Sequence, residues 1–110
     1  MLIYFDEDDI LEDYLEAGVI TIIKLGTTTC PPCQMLKPIF EKLSVTDGFE
    51  DMNFLDVNAI DHEELMIKFK AEAVPTIIYF RGIELVGKTT GFIPFVPLKN
   101  FITQIKDGNL

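Results

Sequence analysis

An α/β domain built on one mixed sheet, with helices on both faces, is the fold class this sequence predicts. Three observations predict it. Strand-like and helix-like patterns alternate along the chain in the order β-α-β-α-β-α-β-β-α, and alternation of that kind implies parallel crossovers. The run Val19 to Leu25 is dense in β-branched residues, as in a strand covered on both sides. Further on, Thr76 to Phe80 and Glu84 to Thr89 are joined near Arg81-Gly82, a hairpin pattern that adds an antiparallel part to the sheet.

Taken in order, Leu2 to Phe5 is a short apolar strand. Asp6 is placed to cap a first helix, in which Ile10, Leu11, Tyr14 and Leu15 recur at helical spacing and which Gly18 stops. The strand Val19 to Leu25 follows. The second helix, Gln34 to Ser44, gathers Met35, Leu36, Ile39, Phe40 and Leu43, and Pro38 inside it predicts a kink. Asp47-Gly48 breaks the chain, and Met52 to Val57 is a third strand. Asp61, with Glu64 three residues later, has the spacing of a capping box and opens a helix with Leu65 and Phe69 turned inward. Val74-Pro75 ends that segment. After the hairpin, Pro94 to Lys106 is the last helix, its inner face made by Phe95, Leu98, Phe101, Ile102 and Ile105. No linker, repeat or low-complexity stretch interrupts these elements, so residues 1–110 read as one domain.

Composition narrows the function. The apolar stretches are strand-sized, well short of the ~20 residues a membrane helix needs. No basic segment followed by an apolar run opens the chain, so a cytoplasmic location is expected. The formal charge is −9, and seven acids fall within the first sixteen residues with no base among them. Phosphate binding needs clustered Lys and Arg, so a nucleic-acid role is disfavoured and the acidic face is read as solvated. His62, in the first turn of a helix, is expected to be exposed. No exposed apolar stripe stands out, so a monomer is the default.

The chemistry sits in Cys30-Pro31-Pro32-Cys33, the only two cysteines, at the junction of a strand and a helix. A zinc site wants four ligands, and the single histidine is remote in sequence, so metal binding would need a second subunit. A structural staple between residues this close would constrain almost no chain. Reversible disulfide chemistry is the reading that fits. The first thiol can sit where free helix amides and the helix dipole favour its thiolate, and the second lies one turn further in, within reach of any disulfide the first one forms.

The order of elements, with Thr29-Cys30-Pro31-Pro32-Cys33 after the second strand, Pro38, Val74-Pro75-Thr76 before the fourth, and Gly91, resembles the thioredoxin family over essentially the whole chain. The resemblance implies a central five-stranded mixed sheet flanked by four α-helices. It also implies reduction of protein disulfides by dithiol exchange, with no metal or organic cofactor and with electrons restored by a flavoprotein thioredoxin reductase. Carried over by position, Cys30 would be the exposed nucleophile and Cys33 the buried resolving thiol. Pro75 would be a cis proline against the cysteine pair, Val74 would offer its backbone to an extended substrate strand, and Gly91 would leave room for that strand.

Three departures from the family pattern shape the expectations. Thr29 and Pro31 replace the usual Trp and Gly around the first cysteine; Pro31 and Pro32, in the first helical turn, stiffen the loop and leave the amides of Cys33 and Gln34 as the nearest donors to the Cys30 sulfur. The family's buried aspartate and its lysine partner are exchanged, since Lys24 and Asp56 occupy those positions. A buried lysine needs a partner, so Lys24 and Asp56 are expected to pair beneath Cys33 and to move its proton; a snorkelling lysine with an exposed aspartate is the alternative. Proline directly after the first cysteine is also found in glutaredoxins, which act with glutathione. The extra N-terminal strand and helix, and Thr90-Gly91-Phe92 in place of Gly-Gly-Asp, favour the thioredoxin resemblance. A non-catalytic binding module on the same fold is the remaining rival, with the acidic first helix its only hint.

Overall fold

The computed structural model describes residues 1–109. Five strands form one sheet: β1 (Leu2–Tyr4), β2 (Ile20–Gly26), β3 (Asn53–Asn58), β4 (Thr76–Arg81) and β5 (Glu84–Thr90). Among the described residues three α-helices accompany them, α1 (Pro31–Ser44), α2 (Glu63–Lys68) and α3 (Phe95–Lys106). The strand order is β1-β3-β2-β4-β5. β1 and β2 both run parallel to β3, whereas β4 is antiparallel to β2 and to β5. The mixed sheet is therefore as expected. Among the described residues no helix is long and apolar enough to cross a membrane.

Period-two alternation sorts the sheet residues into two cores. Ile22, Phe54, Ile77 and Tyr79 face one side and pack with Leu36, Phe40 and Leu43 of α1 and Leu98, Ile102 and Ile105 of α3. Ile23, Leu25, Leu55, Val57, Ile78 and Phe80 face the other and pack with Phe5, Leu11, and Leu65 and Phe69 of the α2 segment. In this alternation Lys24 and Asp56 fall on the α1 side, two residues beyond Ile22 and Phe54. The register of β2 on β3 sets them opposite each other. Strand geometry alone brings the two charges together.

The expected first helix is absent. Between β1 and β2 only one 3₁₀ turn forms, Leu11–Asp13, so the helices number three rather than four among the described residues. The apolar spacing over Ile10 to Leu15 is helical, but Asp8 and Glu12, Asp9 and Asp13, and Glu12 and Glu16 would each stack like charges four residues apart. Ile10 stays exposed. Asp6 caps no helix; its N–H donates to Asp9 Oδ2 at 2.6 Å in a tight turn. Gly18 does end the segment, at φ +83°.

The capping box at Asp61 is also not formed. His62 is the N-cap residue of α2, without a side-chain cap, and Glu64 turns to the His62 ring instead. Nor is His62 exposed: only 2% of its surface meets solvent.

Tyr79 gives the α1-side core a test at alkaline pH. Its ring is fully buried edge-on to Phe101, and its hydroxyl shares a 2.7 Å hydrogen bond with the Thr89 hydroxyl. Burial disfavours the phenolate and pushes the group up from 10.0 to about 12. Between those values the unfolded chain gives up this proton and the folded chain keeps it. Stability should therefore fall as pH rises from 10.0 to about 12, by on the order of 2–3 kcal/mol in total. Denaturation midpoints across that interval, compared with Tyr79→Phe, read the effect; a variant with the same slope would assign it to another group.

Candidate active site

The two cysteines stand where β2 ends and α1 begins. Cys30 is the N-cap of α1, with extended backbone, and the two prolines fill the first helical positions, where a missing N–H leaves no bond unmade. The helix has free amides at this end, and the Cys33 N–H donates to Cys30 Sγ at 3.2 Å. The Gln34 N–H goes instead to the Cys30 carbonyl, at 3.0 Å. Of the two expected amide donors, one reaches the sulfur. The side chain of Gln34 ties the preceding loop down, its amide donating to the Thr28 carbonyl at 2.6 Å.

Cys30 and Cys33 are joined as a disulfide, with Cα atoms 5.1 Å apart. Their exposures differ as an attacking and a resolving thiol require: Cys30 is half-buried and Cys33 is 3% exposed. Thr29 and Pro31 flank Cys30 on the exposed surface. The Val74–Pro75 peptide bond is cis, and the Val74 carbonyl lies 3.7 Å from Cys30 Sγ. The Gly91 N–H donates to the Pro75 carbonyl at 2.8 Å, which draws the end of β5 to the same place. Gly91 sits at φ +95°, a conformation that strains other residues, and a Cβ there would meet nothing within 4 Å. Thr29, Cys30, Pro31, Val74 and Gly91 thus share one surface, around the buried Pro75.

The charged pair borders the same cavity as Cys33. Lys24 Nζ is 3.3 Å from Asp56 Oδ2, with the lysine side chain 5% exposed and the aspartate 19%. Lys24 also lies over the Phe40 ring, 5.7 Å from its centroid. A cavity of about 410 Å³ borders both charges and Cys33, walled by Tyr4, Phe5 and Gly26. The snorkelling alternative for Lys24 is excluded by its burial and its partner.

Gly26 escapes the sequence reading. A Cβ at this position would lie 3.3 Å from Cys33 Sγ, so a side chain here would push the buried sulfur by a few tenths of an ångström. A signal for it exists: a glycine closing a strand otherwise rich in β-branched residues marks a close approach.

A cysteine pair seated this way at a helix N-terminus, just after the central strand of a mixed sheet, defines a thiol–disulfide oxidoreductase that works by dithiol exchange. The family model for thioredoxin matches residues 5–104. Among curated relatives, the thioredoxin of Staphylococcus haemolyticus is 31% identical over 104 residues, covering 94% of this chain and 93% of its own length. That of Mycoplasmoides gallisepticum is 28% identical over 92 residues, covering 84% and 90%. Two solved structures share the fold at 23% identity. One is the thioredoxin of Malassezia sympodialis, with TM-score 0.80 over 93% of this chain and 89% of that one. The other is a mutant thioredoxin from Halobacterium salinarum, with TM-score 0.83 over 94% and 88%. The chain belongs to the thioredoxin family, and its activity is that of a protein-disulfide reductase.

Proposed function

We propose that Cys30-Pro31-Pro32-Cys33 is the redox centre of a cytoplasmic, monomeric protein-disulfide reductase, the whole of residues 1–110 acting as one thioredoxin-like domain. The Cys30 thiolate attacks one sulfur of a target disulfide, forming a mixed disulfide and expelling the first target thiolate. The Cys33 thiolate then attacks Cys30 Sγ, forming the Cys30–Cys33 bond and expelling the second. Two electrons pass from the pair to the target, and the cysteines themselves carry them, so the exchange calls for no metal or organic cofactor. The observation that carries this assignment of roles is the Cys33 N–H aimed at Cys30 Sγ from the start of α1: once the disulfide is reduced, that donor favours a thiolate at Cys30 and not at the buried Cys33.

The extended substrate strand lies across Thr29, Pro31, Val74, Pro75 and Gly91, pairing with the Val74 backbone. Lys24 and Asp56 serve Cys33. If Lys24 is the nearer charge, its ammonium favours the thiolate that must attack and the carboxylate accepts the proton; the cavity that both charges share with Cys33 supports a role for the pair. The reductant is a flavoprotein thioredoxin reductase. Reduction of the oxidised protein by such a reductase with its nicotinamide donor, and by glutathione alone, separates this reading from a glutathione-linked one. Fast reduction by the first and slow reduction by the second is expected; the reverse order would transfer the protein to the glutaredoxin type of chemistry.

A further inference from the structure

Val74, the residue assigned to pair with the substrate strand, has both backbone groups open. Its N–H has no hydrogen-bond partner among the described residues. Its carbonyl faces Cys30 Sγ at 3.7 Å, and a disulfide sulfur has no hydrogen to give. A residue before proline is kept to extended backbone, where its own N–H and C=O point to the same side. An antiparallel partner residue takes both at once. The carbonyl faces Cys30, so pairing needs the N–H on that side as well.

What aims this N–H is the residue after the proline. Thr76 is fully buried, and its hydroxyl donates to the Ala73 carbonyl at 2.6 Å. That carbonyl and the Val74 N–H belong to one planar trans peptide, so they point in opposite directions. Drawing the carbonyl in towards Thr76 turns the N–H away from it. Ala73 is exposed, so without the hydroxyl water would compete for its carbonyl and the peptide plane would be free to rotate. Other groups hold the rest of the loop. Lys88 Nζ donates to the carbonyls of Phe69 and Lys70 at 3.3 and 3.2 Å, and the Gly91 N–H to that of Pro75 at 2.8 Å. None of these bonds acts on the peptide that carries the Val74 N–H; the bond from Thr76 does.

We propose, on the pairing of substrate with Val74 set out above, that Thr76 is a positioning residue for protein substrates: its hydroxyl aims the Val74 N–H at the substrate strand. Thr76 acts on how a polypeptide is held and not on the reactivity of either sulfur. A peptide disulfide should feel its loss. A bare disulfide, with no backbone to pair, should not.

The test compares two oxidants of the reduced protein, both cysteines intact: a peptide disulfide with several residues on each side of its cysteine, and bis(hydroxyethyl) disulfide. Quenching with an alkylating agent and mass spectrometry give the second-order rate of Cys30–Cys33 bond formation. The parent should favour the peptide. Thr76→Val keeps the branched shape and loses the hydroxyl. It should react about tenfold slower with the peptide, the contribution of one net hydrogen bond, and at the parental rate with the bare disulfide. Thr76→Ser keeps the hydroxyl and should match the parent with both. An equal loss with both oxidants, or a Thr76→Ser variant as slow as Thr76→Val, would overturn the proposal. A parent with no preference for the peptide would remove the strand pairing and the proposal with it. A preference that survives intact in Thr76→Val would remove the proposal alone and leave the strand pairing standing.

Discussion

A Cys33→Ser variant is expected to accumulate as a covalent mixed disulfide with its target and to turn over roughly a thousandfold or more slower than the parent. Cys30→Ser should lose turnover to the same extent but trap nothing. The asymmetry follows from position. Cys30 is half-buried on a surface shared with Val74 and Gly91, whereas Cys33 is 3% exposed and pressed against Gly26. An incoming protein disulfide can reach only the first sulfur. Serine is smaller than cysteine and demands no movement from the Gly26 backbone, so the fold should survive the change. Non-reducing electrophoresis of each variant mixed with a disulfide-containing protein, followed by mass spectrometry of the adduct, reads the result. Adducts formed by Cys30→Ser through Cys33 would reverse the assignment.

The rate of the first step carries a further expectation. Because the Cys33 amide donates to Cys30 Sγ, alkylation of the reduced protein at Cys30 should proceed near neutral pH, below the ordinary thiol range of about 8.5. Alkylation of Cys33 should lag far behind. The two measurements belong together, since an exposed sulfur that stayed protonated would be as poor a nucleophile as a buried one.

What is legible in the sequence divides along physical lines. Strands and long helices are legible because each is specified by a repeating pattern: β2 through its β-branched run, α1 and α3 through apolar residues at helical spacing, and the hairpin through Arg81-Gly82. The pairing of Lys24 with Asp56 is legible because a lysine within a buried strand needs a partner and the family resemblance puts an acid at Asp56; the register of β2 on β3 is what the structure adds. The N-terminal helix is a false expectation because apolar spacing favours it while the like-charge pairs on the same segment oppose it. The burial of His62 is hidden because it is decided by Phe5 and Asp6, the latter 56 residues away in the chain. Nothing local to a helix start reveals that a separate segment will deliver a carbonyl to it. Gly26 lies between these cases, since its local signal is present but the sulfur it accommodates belongs to the next helix.

Lys24→Met is the second change expected to have a large effect, and it acts on two properties at once. Methionine nearly preserves the volume and keeps contact with Phe40, but it leaves Asp56 facing the cavity without its cation. Removing one partner of a fully buried pair costs about 3–5 kcal/mol. Asp56 retains 19% of its side-chain surface, so water can reach it and the expected loss is smaller, roughly 1–3 kcal/mol in chemical denaturation. The resolving step should slow by about tenfold to a hundredfold, the lower part of what a positioned acid–base group contributes. Single-turnover decay of a preformed mixed disulfide isolates that step from first attack. The exchanged pair Lys24→Asp with Asp56→Lys separates the two properties. Both positions lie in register on neighbouring strands and face α1, so the reversed pair should regain most of the stability that Lys24→Asp alone, with two carboxylates opposed, would lose. If resolution depends on which charge is nearer the sulfur, the reversed protein will be as stable as the parent and still resolve at a different rate. Recovery of both properties together would mean that the pair needs only to be neutral overall. A Lys24→Met protein with unchanged resolution would remove the pair from the chemistry and leave it a purely structural contact.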